Sequence, residues 1–164
     1  RVAGYARAFG MEVVAWSQNL TPARATEANV KYVGKEELLR TADFVSVHLV
    51  LSERTRGLIG APELALMKPK AVLDNTSPGP IVDEKALIEA LSSGRLAHAA
   101  LAVFDREPLP ADHPLRKMPN VTLLPHLGYV AEEVYASFWS DCVENVEAWL
   151  AGKPIRVVNP EALA

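Results

Sequence analysis

The chain has 164 residues, 49% hydrophobic and 23% charged, with a formal net charge of −3. That is about one domain's worth of chain, enough to bury a sizeable core, and its charge gives no reason to expect nucleic acid or an anionic membrane as partner. The single cysteine, Cys142, excludes an internal disulfide, and no apolar run approaches the roughly 18 residues that span a bilayer, so a cytoplasmic setting is expected.

The first ten residues, without a leading Met, read as a helix already under way, with Gly10 as its stop. A helix with no cap and no preceding loop suggests a fragment. Glu12 to Trp16 reads as a short buried strand, and Thr21-Pro22 can open a helical turn. Asn29 to Val33 is a second short strand and Lys35 to Arg40 a short helix. Asp43 to Leu49 is a strand apolar enough for a parallel sheet. Ala61-Pro62 starts a helix that runs to about Met67. Ala71 to Asp74 is a strand, followed by the turn-rich Asn75 to Pro80.

Asp83 is placed to cap a helix over Glu84 to Leu91, with Gly94 as its stop. Ala99 to Phe104 is a strand, Arg106 to Pro119 an irregular proline-rich loop, and Val121 to Leu124 the last strand. Ala131 to Leu150 is the longest helix. Its stripe of Val134, Phe138, Cys142, Val146 and Leu150 predicts a core-facing side, with Cys142 a core residue and not a nucleophile. Helices alternating with short apolar strands predict an α/β fold, a doubly wound parallel sheet with helices on both faces.

Three stretches place polar or special residues after strand ends: Asn75 to Pro80, Asp105 to Pro108, and His126 to Tyr129. In a doubly wound sheet such ends share one rim, so they can meet in space. Glu107 and His126 would then form a carboxylate–imidazole pair, in which the carboxylate fixes the tautomer of a ring able to give or take a proton near neutral pH. The plain alternative is a solvated loop glutamate and an unrelated histidine.

Several motifs together carry a resemblance. They are Thr55-Arg56-Gly57-Leu58-Ile59-Gly60, Asn75-Thr76-Ser77, Ile81-Val82-Asp83-Glu84-Lys85-Ala86-Leu87, Val103-Phe104-Asp105-Arg106-Glu107-Pro108-Leu109 and Pro125-His126-Leu127-Gly128-Tyr129. From Arg1 to Pro160 the chain resembles the nucleotide-binding (Rossmann-like) domain of the D-isomer-specific 2-hydroxyacid dehydrogenases. The resemblance implies a nucleotide-binding domain over residues 1–152, with residues 153–164 a tail towards a substrate domain. It also implies NAD or NADP as cofactor, a small 2-oxo or 2-hydroxy acid as substrate, no metal, and a homodimer formed through this domain. His126 matches the family's acid/base and Glu107 its carboxylate partner. Thr76, Ser77, Leu127 and Gly128 match positions that line the cofactor. Ser17 matches the residue ending the second strand, usually an acid in NAD-specific relatives, where it binds the ribose 2′-hydroxyl.

The pattern is broken in places. The family's substrate-holding arginine falls at Pro78, which offers no donor. An Asp facing the nicotinamide carboxamide falls at Ala102, and a proline after His48-Leu49 falls at Val50. The first strand and glycine-rich phosphate turn would precede Arg1. The resemblance therefore implies either an oxidoreductase domain impaired in this chain or an inactive remnant that keeps the fold as a nucleotide-binding or dimerisation module. Ser17, with Arg24 close in sequence, leaves NAD and NADP both open, with a lean towards tolerance of NADP.

Overall fold

In the computed structural model, which describes residues 1–163, four strands form one parallel sheet in the order β3-β4-β5-β6. They are β3 (Phe44–Val47), β4 (Val72–Asn75), β5 (His98–Leu101) and β6 (Val121–Leu123). The register pairs Val45 with Leu73, Leu73 with Ala99, and Ala99 with Val121. Successive side chains of a strand point to opposite faces, and the sequence obeys that period. Val45, Val47, Leu73, Ala99 and Leu101 are buried, whereas Phe44 and Ser46 on the alternate face are exposed.

The buried face packs α3 (Lys35–Thr41), α4 (Ala61–Leu66) and α5 (Glu84–Ser92) through Leu39, Leu64, Leu87, Ala90 and Leu91, all in one core cluster. Two of those helices, α4 and α5, start or stop for a local reason. Asp83 Oδ1 accepts the Ala86 N–H at 3.0 Å and so caps α5, and Gly94, at φ +72°, turns the chain away behind it. The Glu63 carboxylate reaches back to the Gly60 N–H at 3.1 Å at the start of α4. The fold is thus a parallel sheet flanked by helices, Rossmann-like, as the alternation of elements predicts.

A second, two-stranded parallel sheet joins β1 (Val14–Ala15) to β2 (Lys31–Tyr32), with α1 (Val2–Ala8) before it and α2 (Pro22–Glu27) between its strands. Thr21 Oγ1 accepts the Arg24 N–H and caps α2. Among the described residues, β1 pairs with β2 alone and β3 with β4 alone.

Strand β5 is shorter than the expected Ala99 to Phe104, and the cause is polar. The Phe104 N–H is taken by the Glu107 carboxylate, Oε1, at 2.9 Å, which removes that residue from the ladder and turns the chain outward. The loop after it is not wholly irregular. Pro114–Lys117 forms a 3-10 turn capped by His113, whose Nε2 lies 3.1 Å from Glu84 Oε1 at the start of α5.

The chain divides into two units, Arg1–His126 and the segment from Leu127 onward. The second unit holds the 19-residue helix α6 (Glu132–Leu150). No residue of α6 is buried, and Cys142 is exposed, so the expected core role of Cys142 and its stripe is corrected. The stripe has the right period, but its own unit offers only loop and a short 3-10 turn to cover it. No helix among the described residues is long and apolar enough to cross a membrane.

Candidate active site

The rim at the carboxyl ends of β4, β5 and β6 is built by backbone bonds that continue the sheet in another form. Ala102 donates its N–H to the Asn75 carbonyl at 3.1 Å and accepts the His126 N–H on its own carbonyl at 2.9 Å. The His126 N–H also lies 3.1 Å from the Leu124 carbonyl. These bonds hold His126 at φ +51°, in the left-handed region that non-glycine residues seldom occupy. A histidine kept there is over-determined by its surroundings, and its ring leaves the strand end in one direction.

The imidazole meets the carboxylate that the sequence places 19 residues earlier. His126 Nδ1 lies 2.7 Å from Glu107 Oε2, while Glu107 Oε1 accepts the Phe104 N–H. An ionised carboxylate only accepts, so the proton of this bond sits on Nδ1. Burial alone would raise the Glu107 carboxyl. The hydrogen bond from His126, the Phe104 N–H and the charge of His126 outweigh that and hold it below the ordinary value. The His126 side chain is 56% exposed.

Asn75 is 1% exposed, and its Oδ1 accepts the Ser77 N–H at 3.0 Å. Ser77 Oγ donates to the Val47 carbonyl at 2.8 Å and accepts the Leu49 N–H at 3.1 Å, which ties the ends of β3 and β4 together. Thr76 and Pro78 on either side are exposed. A Cβ at Gly79 would stand 2.3 Å from the Phe104 carbonyl carbon, so only glycine allows this loop to lie against the β5 end. Asp105 stands near that contact. Burial first, then the negative charges of Glu84 and Asp83, push its carboxyl up, against the opposing charge of Arg56.

Ser17 faces a different feature, a cleft of about 430 Å³ lined by Trp16, Gln18, Asn19, His48 and Arg54 among others. Arg24, which the sequence offers as a phosphate partner, is not part of that lining; Arg54 is. Of the other arginines, Arg95 is engaged with the carbonyls of Ala65 and Met67. Leu127 and Gly128 belong to the second unit, where the Leu127 carbonyl accepts the Val130 N–H in a turn ahead of α6.

The sequence reading misses a hydrogen-bonded chain beside the cleft. Ser46 Oγ donates to Asp74 Oδ2 at 2.6 Å and lies 2.9 Å from His48 Nε2. With its one proton given to the carboxylate, the hydroxyl accepts from His48, which fixes that ring as the Nε2–H tautomer. The signal is a residue spacing of two on one strand face, with Asp74 opposite Ser46 in register.

A parallel sheet with a histidine on its carboxyl rim and a cleft beside the outer strands is the architecture of a Rossmann-like nucleotide-binding domain. Residues 1–128 match the model for "D-isomer specific 2-hydroxyacid dehydrogenase, NAD binding domain". The chain belongs to that family. It is 42% identical over 164 residues to a glyoxylate reductase of Aeropyrum pernix, covering 99% of this chain and 49% of that protein. A solved oxidoreductase from Ralstonia solanacearum superposes with a TM-score of 0.92 at 39% identity, over 99% of this chain and 48% of the other. An acyclic imino acid reductase in complex with NADPH superposes with a TM-score of 0.73 at 31% identity, over 96% of this chain and 49% of the other. The chain thus spans about half the length of the relatives it matches.

Proposed function

We propose that the chain is the cofactor-binding half of an NAD(P)-dependent reductase that interconverts a 2-oxo acid and its D-2-hydroxy acid. The observation that carries this reading is the His126–Glu107 pair at 2.7 Å, with the second Glu107 oxygen held by backbone. A bound nicotinamide supplies the hydride. His126, with Nδ1 engaged by Glu107, gives a proton from Nε2 to the carbonyl oxygen as its carbon is reduced, and takes it back in the reverse direction. Glu107 fixes the tautomer and stabilises the imidazolium. Ser17, Thr76, Ser77, Ala102, Leu127 and Gly128 are assigned to the cofactor. The glyoxylate reductase named above supports a small 2-oxo acid as substrate. We assign the cofactor-binding function to residues 1–152 and place it in the cytoplasm.

A second reading, a remnant that binds nucleotide or dimerises without turnover, is favoured by Pro78 and Ala102. A proline at the expected arginine's position supplies no planar donor for the substrate carboxylate, and loss of one such donor costs about 10²–10³ in rate. The two readings separate in one assay: oxidation of NADH or NADPH with glyoxylate, hydroxypyruvate and pyruvate. In a full-length context, turnover that disappears in His126→Asn and rises in Pro78→Arg/Ala102→Asp supports the reductase. Absence of turnover in all three proteins supports the remnant.

A further inference from the structure

For the pair with His126 to form, Glu107 has to stand in one place, and the loop that carries it is poorly suited to a sheet. The next three residues are Pro108, Leu109 and Pro110. The two prolines have no N–H to give to a ladder. The carbonyls of this stretch are met by a side chain instead. Arg116 Nε donates to the Pro110 carbonyl at 2.8 Å, and Arg116 Nη2 donates to the Leu109 carbonyl at 2.6 Å. A guanidinium presents its N–H groups as a rigid planar fork, so two adjacent carbonyls held by it have a fixed orientation.

The base of that clamp is itself anchored. Arg116 lies in the 3-10 turn Pro114–Lys117, whose Leu115 is buried. His113, ahead of the turn, reaches Glu84 of α5 through Nε2, and its N–H donates to the Pro110 carbonyl at 3.1 Å. Leu109 packs its side chain into the core cluster. At the other end of the loop, the Phe104 N–H holds Glu107 Oε1, and the Phe104 backbone lies against Gly79. Glu107 thus sits between two fixed points, and its second oxygen falls 2.7 Å from His126 Nδ1. Packing of Leu109 sets where the segment lies, whereas the fork of Arg116 sets how its backbone is turned. We propose that Arg116 is a positioning residue: by clamping the Leu109 and Pro110 carbonyls it aims Glu107, and through Glu107 it selects the Nδ1–H tautomer of His126. The inference rests on the reading of His126 and Glu107 as an acid/base pair and adds the residue that aligns them.

The tautomer is read from the imidazole 15N chemical shifts in alkaline solution, where imidazoles are neutral. The proteins are the unmodified chain, Arg116→Met and Arg116→Lys. His126→Asn identifies the His126 signals among those of the four histidines. Glu107→Ala gives the ring released from its partner, and thermal unfolding follows stability separately. The unmodified chain is expected to show the Nδ1–H ring. Arg116→Met is expected to move most of the way to the Glu107→Ala spectrum. Arg116→Lys keeps the charge without the planar fork and is expected to fall between the two, so it decides the matter if Arg116→Met does not fold. A ring that keeps its Nδ1–H in a folded Arg116 variant, even one that melts earlier, overturns the proposal, because the arginine then only stabilises the turn. An Nε2–H ring in the unmodified chain overturns the pairing and the acid/base reading with it. The readout needs neither cofactor nor turnover, so a tautomer that depends on Arg116 supports the proposal even in an inactive chain.

Discussion

At the scale of single residues, the account turns on how Glu107 is held. Its two oxygens serve two partners, the Phe104 N–H and His126 Nδ1, so one carboxylate both ends β5 and orients the histidine. The folded state keeps this carboxyl below its ordinary value of 4.5, whereas the unfolded chain does not. Its contribution to stability is therefore fully present above that value and is lost as pH falls through the lower folded value. Denaturant titrations of the chain and of Glu107→Gln should differ by a constant amount at neutral pH, and the difference should shrink as the solution is acidified below 4.5. A difference that grows on acidification would contradict the arrangement. The pairing itself was readable as a possibility from the order of strand ends. The Phe104 bond was not, because a backbone N–H leaves no mark in a sequence, and neither was the left-handed backbone of His126.

At the scale of elements, the sequence carries most of the fold because its punctuation is local. Asp83 before an apolar period, Gly94 after it, and Pro22 and Pro62 in first turns each act within a few residues, and each appears where the pattern places it. Non-local geometry is harder to read. Gly79 looks like one more turn glycine, yet its lack of a side chain is what lets the loop after β4 lie against the β5 end. Gly79→Ala should cost about 1–3 kcal/mol, as overpacking against backbone does, and should disturb the Phe104–Glu107 bond as well. Thermal unfolding measures the first effect and the pH dependence described above the second. A variant as stable as the parent would show that the loop can move away freely. The His48–Ser46–Asp74 chain is only half legible: Ser46 and His48 are two residues apart on one strand, but Asp74 joins them through the register between two strands 28 positions apart.

At the scale of the whole chain, the sheet is interrupted and much apolar surface is open. Phe9 is 83% exposed, Trp139 69% and Leu150 72%, and β1 and β3 each have a neighbour on one side only among the described residues. Open ladder edges and apolar side chains of this kind favour pairing with another chain. We expect this chain to self-associate, in line with the homodimer that the family resemblance implies. Chromatography with light scattering should give a mass above 17.8 kDa that falls on dilution. A monomer at every concentration would argue against it. The apolar stripe of α6 shows the limit of periodicity as a guide: it reports that a face wants cover, not which element covers it.

The central claim is that this chain binds a nicotinamide cofactor at a site that includes His126 and Ser17. It is tested most directly by titrating NADPH and NADH into the chain and following cofactor fluorescence. The account expects saturable binding of one or both cofactors. Absence of saturable binding for either cofactor by a folded chain would contradict it.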